Sequence, residues 1–150
     1  MKKLLNFEVI GETDTKRIIL IAHGLFGSHK NWRSIAKCLA ELDYKVIIVD
    51  MRNHGSSFWA ESHSYEDLAG DLSRVIAQFG VAADVIGHSM GGKAAMTLAL
   101  LYSDFVEKLI VVDIAPVQYH HSQVDHINAL ESIDLNLINT RKEMIELLSS

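Results

Sequence analysis

The five residues at 87–91 fit the pattern G-x-S-x-G, with Ser89 at the centre. They follow the apolar residues Val85 and Ile86 and precede a stretch of small residues, as expected where a strand turns at once into a helix. So sharp a turn brings the backbone close to itself, and Cβ atoms at Gly87 and Gly91 would collide there. Ser89 would project alone from the apex of the turn. We interpret the segment as a nucleophile elbow, with Ser89 as the nucleophile of a serine enzyme.

The same turn would supply half of an oxyanion hole. It places Ser89 near the N-terminus of the following helix, where free backbone N–H groups can bind the anion that forms when the serine attacks a carbonyl. The N–H of Met90 is the predicted donor. A second donor is predicted in the glycine-rich segment at 23–28, where we nominate the backbone N–H of Leu25. Leu25 could instead only line a pocket, and His23 is expected to anchor the loop.

Two other interpretations of the segment at 87–91 stay open. A glycine-rich turn between strand and helix occurs in any doubly wound sheet, and its serine need have no chemical role. Read from Gly87, the sequence also fits the phosphate-binding pattern G-x-x-x-x-G-K-[ST] at every position but the last. Ala94 stands at that position and offers no hydroxyl for Mg²⁺, so a nucleotide-binding site is the weaker alternative.

The composition is that of one globular unit. Of the 150 residues, 49% are hydrophobic and 22% are charged, and the net charge of -5 without a concentrated basic face disfavours nucleic acid as a partner. The single cysteine, Cys38, falls in a helical pattern and is predicted to be a small core residue. No apolar run reaches the roughly 20 residues that a membrane span needs, and the N-terminus lacks the apolar core of an export signal. We therefore predict a cytoplasmic protein without a membrane span.

Apolar periodicity predicts strands that alternate with helices. Strands are predicted at 4–10, 17–22, 44–49, 83–86 and 108–112, and helices at 31–42, from Ser64 to Gly80 and through 94 to about 101. Uninterrupted apolar runs such as the one at 17–22 are typical of strands that are covered on both faces. The alternation predicts an α/β fold built on a doubly wound, mostly parallel sheet.

The chain changes character after Pro116. Helices are predicted near 123–130 and at 141–148, the second behind a capping box at 140–143, and we expect 117–150 to begin a helical cap laid over the strand ends. The strand at 108–112 would form an apolar edge, which an independent parallel sheet normally covers with another strand. We expect a remaining C-terminal part of the protein, or self-association, to cover this edge.

A polar segment follows the second core strand, and its side chains can hydrogen-bond their own backbone, so a structural role is expected. Together with the glycine-rich loop and the predicted elbow, this segment resembles the α/β-hydrolase superfamily, and within it the YbfF-type esterases. The resemblance covers residues 4 to about 116. It rests on four segments, HGLFGS (23–28), DMRNHGSS (50–57), GHSMGG (87–92) and VVDIAP (111–116).

The resemblance implies a sheet with a helical cap, hydrolysis of carboxylic esters or acyl thioesters, and no metal or organic cofactor. It also implies a triad in the order Ser, Asp or Glu, His, with the histidine on a loop after the last strand. Residues 1–116 would then form the N-terminal part of the hydrolase core, with the later strands and the catalytic histidine absent from this chain. None of its eight histidines is our candidate base.

Asp113 is the candidate acid of the triad. It lies 24 residues beyond Ser89, at the C-terminal end of the next strand, where ligands of open α/β sheets gather. Many relatives place the acid one strand later, and Asp113 could instead only cap a turn.

We predict a serine hydrolase that cleaves esters or thioesters of small acyl substrates through an acyl-enzyme on Ser89. The alternative is a catalytically incomplete, hydrolase-like module that binds a ligand or partner in the same pocket. The nucleotide-binding interpretation ranks third.

Overall fold

The computed structural model describes residues 3–11, 17–117, 124–131, 133, 138 and 140–148. The chain forms two compact units, Met1–Pro116 and Val117–Ser150. In the described residues, no helix has the length and apolar character needed to cross a membrane.

The first unit alternates strands and helices in the predicted order. Its strands are β1 Phe7–Ile10, β2 Ile18–Ala22, β3 Lys45–Val49, β4 Ala83–His88 and β5 Val106–Val112. Its helices are α1 Arg33–Ala40, α2 Tyr65–Ala77 and α3 Met90–Leu101, with short 3-10 turns at His29–Trp32 and Ser103–Phe105.

One five-stranded sheet organises this unit, in the order β1-β3-β2-β4-β5. β1 is antiparallel to β3 and every other pair is parallel, which confirms the predicted mostly parallel sheet. Because β2, β4 and β5 are parallel neighbours, the loops that follow them all lie at the carboxyl-terminal ends of the strands. The segments at 23–28, 87–91 and 113–116 are therefore brought together there.

Apolar side chains bury both faces of the central strands. The face toward α2 and α3 carries the larger cluster, which includes Leu20, Ile47 and Val85. The opposite face carries a smaller cluster beside α1, which includes Ile21 and Ala36. The uninterrupted apolar run of β2 is therefore explained by burial on both faces, as predicted.

Three details in the first 42 residues differ from the prediction. The strand predicted from residue 4 begins at Phe7, because the backbone N–H of Asn6 donates to Ser57 Oγ (2.8 Å) instead of to a neighbouring strand. The helix predicted at 31–42 begins as a 3-10 turn and its α-helical part ends at Ala40. The prediction that Cys38 is a core residue is wrong, since it is exposed. At about 100° per residue, it lies on the face of α1 opposite the buried Ala36.

The predicted start of α2 is confirmed, but the helix ends at Ala77, three residues before the predicted Gly80. Ser64 Oγ accepts a hydrogen bond from the N–H of Asp67 (3.2 Å) at its start, and Gly80 takes a positive φ of 70° just beyond its end. β5 has one neighbouring strand in the described sheet and leaves Ile110 half-exposed, as expected for the predicted apolar edge.

The second unit contains α4 Val124–Glu131 and α5 Arg141–Leu148. The predicted capping box before α5 is confirmed, since the N–H of Thr140 donates to Glu143 Oε2 (3.1 Å) and the N–H of Glu143 donates to Thr140 Oγ1 (3.3 Å). Two of the histidines considered above, His120 and His121, lie outside the described residues. The role of 117–150 as a cap stays a prediction.

Candidate active site

Ser89 alone joins β4 to α3, with a φ of 50° and a ψ of -115°. The predicted crowding is present, because a Cβ on Gly87 would lie 2.4 Å from Gly91 O and a Cβ on Gly91 would lie 2.4 Å from Ala22 O. A non-glycine residue in such a conformation costs roughly 1–3 kcal/mol and persists only where its surroundings impose it. The segment is therefore a tight, strained turn with a half-buried serine at its apex.

The phosphate-loop interpretation of the same segment is wrong. A phosphate-binding loop needs several residues between strand and helix, so that successive backbone N–H groups can surround the phosphate. Here β4 ends at His88 and α3 begins at Met90, and a single residue lies between them.

The glycine-rich loop after β2 lies directly against the elbow. A Cβ on Gly24 would lie 2.8 Å from His88 Nδ1 and 3.3 Å from Ser89 Cβ, so a larger residue at this position would press on Ser89. The loop closes with a hydrogen bond from Gly27 N–H to Gly24 O (3.0 Å). The serine and the predicted second oxyanion donor thus belong to two segments that touch.

His23 anchors this loop, as predicted. Its Nδ1 lies 2.7 Å from Gly24 O, and its Nε2 accepts a hydrogen bond from the N–H of Met51 (3.0 Å). Burial lowers the pKa of His23, which favours the neutral ring. Because Gly24 O can only accept, the ring hydrogen lies on Nδ1. Because the C=O and N–H of a planar trans peptide point in opposite directions, holding Gly24 O also fixes the direction of the Leu25 N–H.

The backbone N–H groups of Leu25 and Met90 are the two predicted oxyanion donors. Among the residues that the structure describes, neither the Leu25 N–H nor the Met90 N–H has a hydrogen-bond partner, and Met90 is the first residue of α3. The neighbouring N–H of Phe26 is engaged, because it donates to His54 Nε2 (3.3 Å). Of these two neighbouring N–H groups, the one of Leu25, the nominated donor, is left to bind an anion.

Asp113 follows β5 directly, with a positive φ of 56° and a side chain that is 85% exposed. Its Oδ2 lies 3.8 Å from His88 Nε2. Within the described part of the chain, the Oγ of Ser89 has no hydrogen-bond partner. The structure thus brings the candidate acid to the edge of the sheet that carries the serine, without a histidine bridging the two in the described residues.

The polar segment at 50–57 has the structural role expected of it. The buried carboxylate of Asp50 accepts hydrogen bonds from Asn6 Nδ2 (2.9 Å), His29 N–H (2.9 Å) and Ser56 N–H (2.9 Å). Burial by itself raises the pKa of Asp50, but these hydrogen bonds outweigh it and lower the pKa to about 2. Gly55 has a φ of 51°, and a Cβ there would meet the Asp50 carboxylate at 2.4 Å.

Two contacts of this segment were not predicted from sequence. His54 accepts a hydrogen bond from the N–H of Phe26, so it touches the glycine-rich loop at 23–28, the predicted oxyanion loop. The buried Arg52 pairs with Asp71 of α2 through Nε–Oδ2 (2.5 Å) and Nη2–Oδ1 (3.0 Å). The hydrogen bond to Asp71 raises the pKa of Arg52. The sequence pattern marked both residues, but their partners lie in other parts of the chain.

A pocket of about 430 Å³ lies beside the glycine-rich loop at 23–28 and is bordered by Trp32, Ile35 and His88. Ser89 does not line it, so we do not assign it to the substrate. Within the described ranges, no group of three or more His, Cys, Asp or Glu side chains is arranged to hold a metal ion.

A serine at positive φ between a central parallel strand and a helix, against a glycine-rich loop from the neighbouring strand, defines the nucleophile-elbow class of α/β proteins. Comparison with known families agrees, because the model of the alpha/beta hydrolase fold matches residues 17–147. The chain belongs to the α/β-hydrolase family.

Individual relatives confirm the predicted similarity to YbfF-type esterases. Esterase YbfF of Escherichia coli is 43% identical over 127 residues, which cover 83% of this chain and 50% of the esterase. The sn-1-specific diacylglycerol lipase ABHD11 of Mus musculus is 44% identical over 115 residues, 75% of this chain and 38% of the lipase. The solved structure of a marine microorganism esterase matches with a TM-score of 0.87 and 43% identity, over 99% of this chain and 58% of that one. The chain thus spans between 38% and 58% of the length of these relatives.

Proposed function

We propose that this chain carries the nucleophile and oxyanion hole of a serine hydrolase that cleaves carboxylic esters or acyl thioesters of small acyl substrates. The observation that carries the proposal is the strained conformation of Ser89, a single residue between β4 and α3. Backbone strain at a non-glycine residue is typical of functional sites, and here the strained conformation places the serine side chain at the apex of the turn, outside both the strand and the helix.

In the first half of the proposed reaction, Ser89 Oγ attacks the acyl carbon and forms a new C–O bond. Its proton passes to a general base, and the former carbonyl oxygen becomes an oxyanion that the N–H groups of Leu25 and Met90 bind. The oxyanion then collapses and the bond to the alcohol or thiol breaks. The protonated base gives its proton to the leaving group, which departs and leaves the acyl group on Ser89.

In the second half, water attacks the acyl-enzyme with help from the same base, and the carboxylic acid is released with Ser89 restored. We assign the base to a histidine from chain beyond residue 150. Three histidines of this chain are engaged elsewhere, since His23 and His54 each use both ring nitrogens on backbone groups and His29 lies 2.8 Å from Asp50. Every step uses protein groups and water, so no metal or organic cofactor is required.

Asp113 is proposed as the acid that holds this histidine in the correct tautomer. The position of Asp113 supports the assignment, because it directly follows β5 beside the elbow and its exposed carboxylate is accessible to a histidine side chain.

The substrate class draws on the relatives. One is named as a lipase on diacylglycerol and two as esterases, which favours carboxylic esters over thioesters. We also propose that the exposed edge at β5 is covered by further chain of the same protein, and that the protein acts in the cytoplasm. A hydrolase-like module that only binds its ligand is the second candidate, favoured by the lack of a partner for Ser89 Oγ in the described residues.

Hydrolysis of matched ester and thioester substrates separates the two candidates. The longest natural form of the protein is assayed with p-nitrophenyl butyrate and with butyryl-coenzyme A, beside its Ser89→Ala variant. Turnover that disappears in the variant, while ligand binding and the folded state remain, supports the hydrolase. Binding of either compound without turnover supports the module.

A further inference from the structure

Two consecutive peptide groups of the oxyanion loop are each held by a histidine. His23 binds the peptide between Gly24 and Leu25 through its carbonyl oxygen (2.7 Å). His54 binds the next peptide, between Leu25 and Phe26, through its N–H (3.3 Å). The two rings pack edge to face, with centroids 5.1 Å apart. Leu25 thus lies between two peptide groups whose orientations are both set by side chains.

The hydrogen bonds of His54 define its tautomer. Nδ1 lies 2.9 Å from Arg52 O, a carbonyl that can only accept, so Nδ1 carries the hydrogen. Nε2 is then free to accept the N–H of Phe26. The residue whose carbonyl oxygen binds this ring is itself held in place, because the Arg52 side chain donates to Asp71 of α2 and to Ser62 O (2.8 Å). The half-buried His54, in the segment at 50–57, is therefore hydrogen-bonded to the loop at 23–28 that lies beside Ser89.

The peptide that His54 holds is the one that determines the type of turn. Residues 24–27 form a turn closed by Gly27 N–H and Gly24 O, with Phe26 at its third position. Phe26 has a φ of 61°, which a type II turn requires and which normally falls to glycine. In the alternative type I turn, the peptide between the second and third residues is reversed. Its N–H would then point away from His54, so the hydrogen bond to His54 favours the strained form.

We propose that His54 is a positioning residue for the proposed ester hydrolysis. By accepting the Phe26 N–H, it fixes the peptide group that follows Leu25, while His23 fixes the peptide group that carries the Leu25 N–H. The two histidines together hold Leu25 in the position from which its N–H can reach the oxyanion. This inference rests on the proposed function. His54 does not touch the reacting atoms, and it acts on the transition state through the loop.

Two substitutions of His54 each retain one of its two hydrogen bonds, so the effects of the two bonds can be separated. The Oε1 of His54→Gln reaches about as far as Nε2 and can still accept the Phe26 N–H. His54→Asn is too short for that bond, yet its amide can still donate to Arg52 O as Nδ1 does. His63→Asn is the matched control, because His63 lies in the same aromatic group at 6.0 Å from His54 and bonds Asn53 instead of the loop.

Kinetics of the longest natural form with p-nitrophenyl butyrate tests the proposal. We expect His54→Asn to lower kcat about 10- to 100-fold with little change in KM, because a misplaced oxyanion donor weakens only the transition state. His54→Gln and His63→Asn are expected to stay within about threefold of the unsubstituted protein. Equal kcat in all forms, or an equal loss in His54→Gln and His54→Asn, would overturn the proposal.

Amide hydrogen exchange at Phe26 gives a readout that is independent of turnover. The Phe26 N–H should be protected in the unsubstituted protein and in His54→Gln, and should exchange faster in His54→Asn. If His54→Asn does not fold, loss of Phe26 protection in His54→Gln decides against the proposal, and retained protection with normal kcat supports it. An absence of Ser89-dependent hydrolysis in the unsubstituted protein would instead refute the proposed function, so the two failures are distinguishable.

Discussion

The backbone N–H of Ser89 donates a hydrogen bond to the carbonyl oxygen of Val112, 3.0 Å away. The pairing of β4 with β5 thus continues one residue beyond β4, into the elbow itself. Asp113 comes directly after Val112 and leaves the sheet with a φ of 56°. The candidate acid therefore directly follows a residue whose backbone is hydrogen-bonded to the candidate nucleophile.

Asp113→Asn should lower kcat of the longest natural form by about 10⁴-fold, because an amide favours the wrong tautomer of a partner histidine. A residue that only caps a turn would change the free energy of unfolding and leave kcat near its original value. Ester hydrolysis and urea unfolding measure the two effects. Asp104→Asn, at another exposed aspartate, is the control and should change neither. A normal kcat in Asp113→Asn would place the acid elsewhere.

The strain at Ser89 predicts a gain in stability when the nucleophile is replaced by glycine. Ser89→Gly and Ser89→Ala should both be inactive, but only glycine adopts a φ of 50° and a ψ of -115° without a clash. We expect Ser89→Gly to unfold with a free energy about 1 kcal/mol higher than Ser89→Ala. Urea denaturation of the two variants measures the difference. A Ser89→Gly variant that is less stable than Ser89→Ala by about 0.4–1 kcal/mol, the ordinary cost of glycine in the unfolded chain, would mean that the elbow stores no strain.

The crowding at the elbow predicts opposite effects for two glycine substitutions. Gly91→Ala would place a Cβ 2.4 Å from Ala22 O, a backbone atom, and should cost about 3 kcal/mol or more. Gly70→Ala lies inside α2, where the nearest atoms are 3.5 Å away, and should add about 0.5–1 kcal/mol. Thermal unfolding compares both with the original chain. A tolerated Gly91→Ala would contradict the close approach of β2 to the elbow.

Asp50 predicts a loss of stability in acid. Its pKa falls from the ordinary value of 3.8 to about 2 in the folded protein. Its contribution to the free energy of unfolding is therefore fully present above about pH 4 and is lost as the pH falls through 2. This difference corresponds to about 2 kcal/mol at neutral pH. Asp50→Asn should therefore be less stable by about that amount at pH 7, with a gap that narrows between pH 4 and 2. Urea unfolding across this range is the measurement, and a constant gap would contradict the account.

The elbow could be predicted from sequence because its cause is local. Gly87 and Gly91 are four residues apart, and the lack of a Cβ at each is explained by the same turn. The strands of the central sheet were also predictable, since burial on both faces leaves an apolar run such as that of β2. The capping box before α5 spans only four residues and was found for the same reason.

The contacts that align the site could not be predicted, because their partners are distant in sequence. His54 and Phe26 are 28 residues apart, and Asp50 and His29 are 21 apart. A single sequence shows that such polar residues exist but not which loops the sheet order brings together. The choice between Leu25 and Phe26 as oxyanion donor likewise depended on the hydrogen bond that engages Phe26.

Labelling with a fluorophosphonate probe, followed by peptide mass mapping, tests the central claim most directly. The probe reacts with an activated serine and should form one adduct, on Ser89, in the longest natural form of the protein. The 150-residue chain serves as a comparison, and it should label weakly or not at all if the base lies beyond it. An adduct on Ser89 of the longer form would support the serine hydrolase. No adduct in either form, or an adduct on another serine, would contradict it.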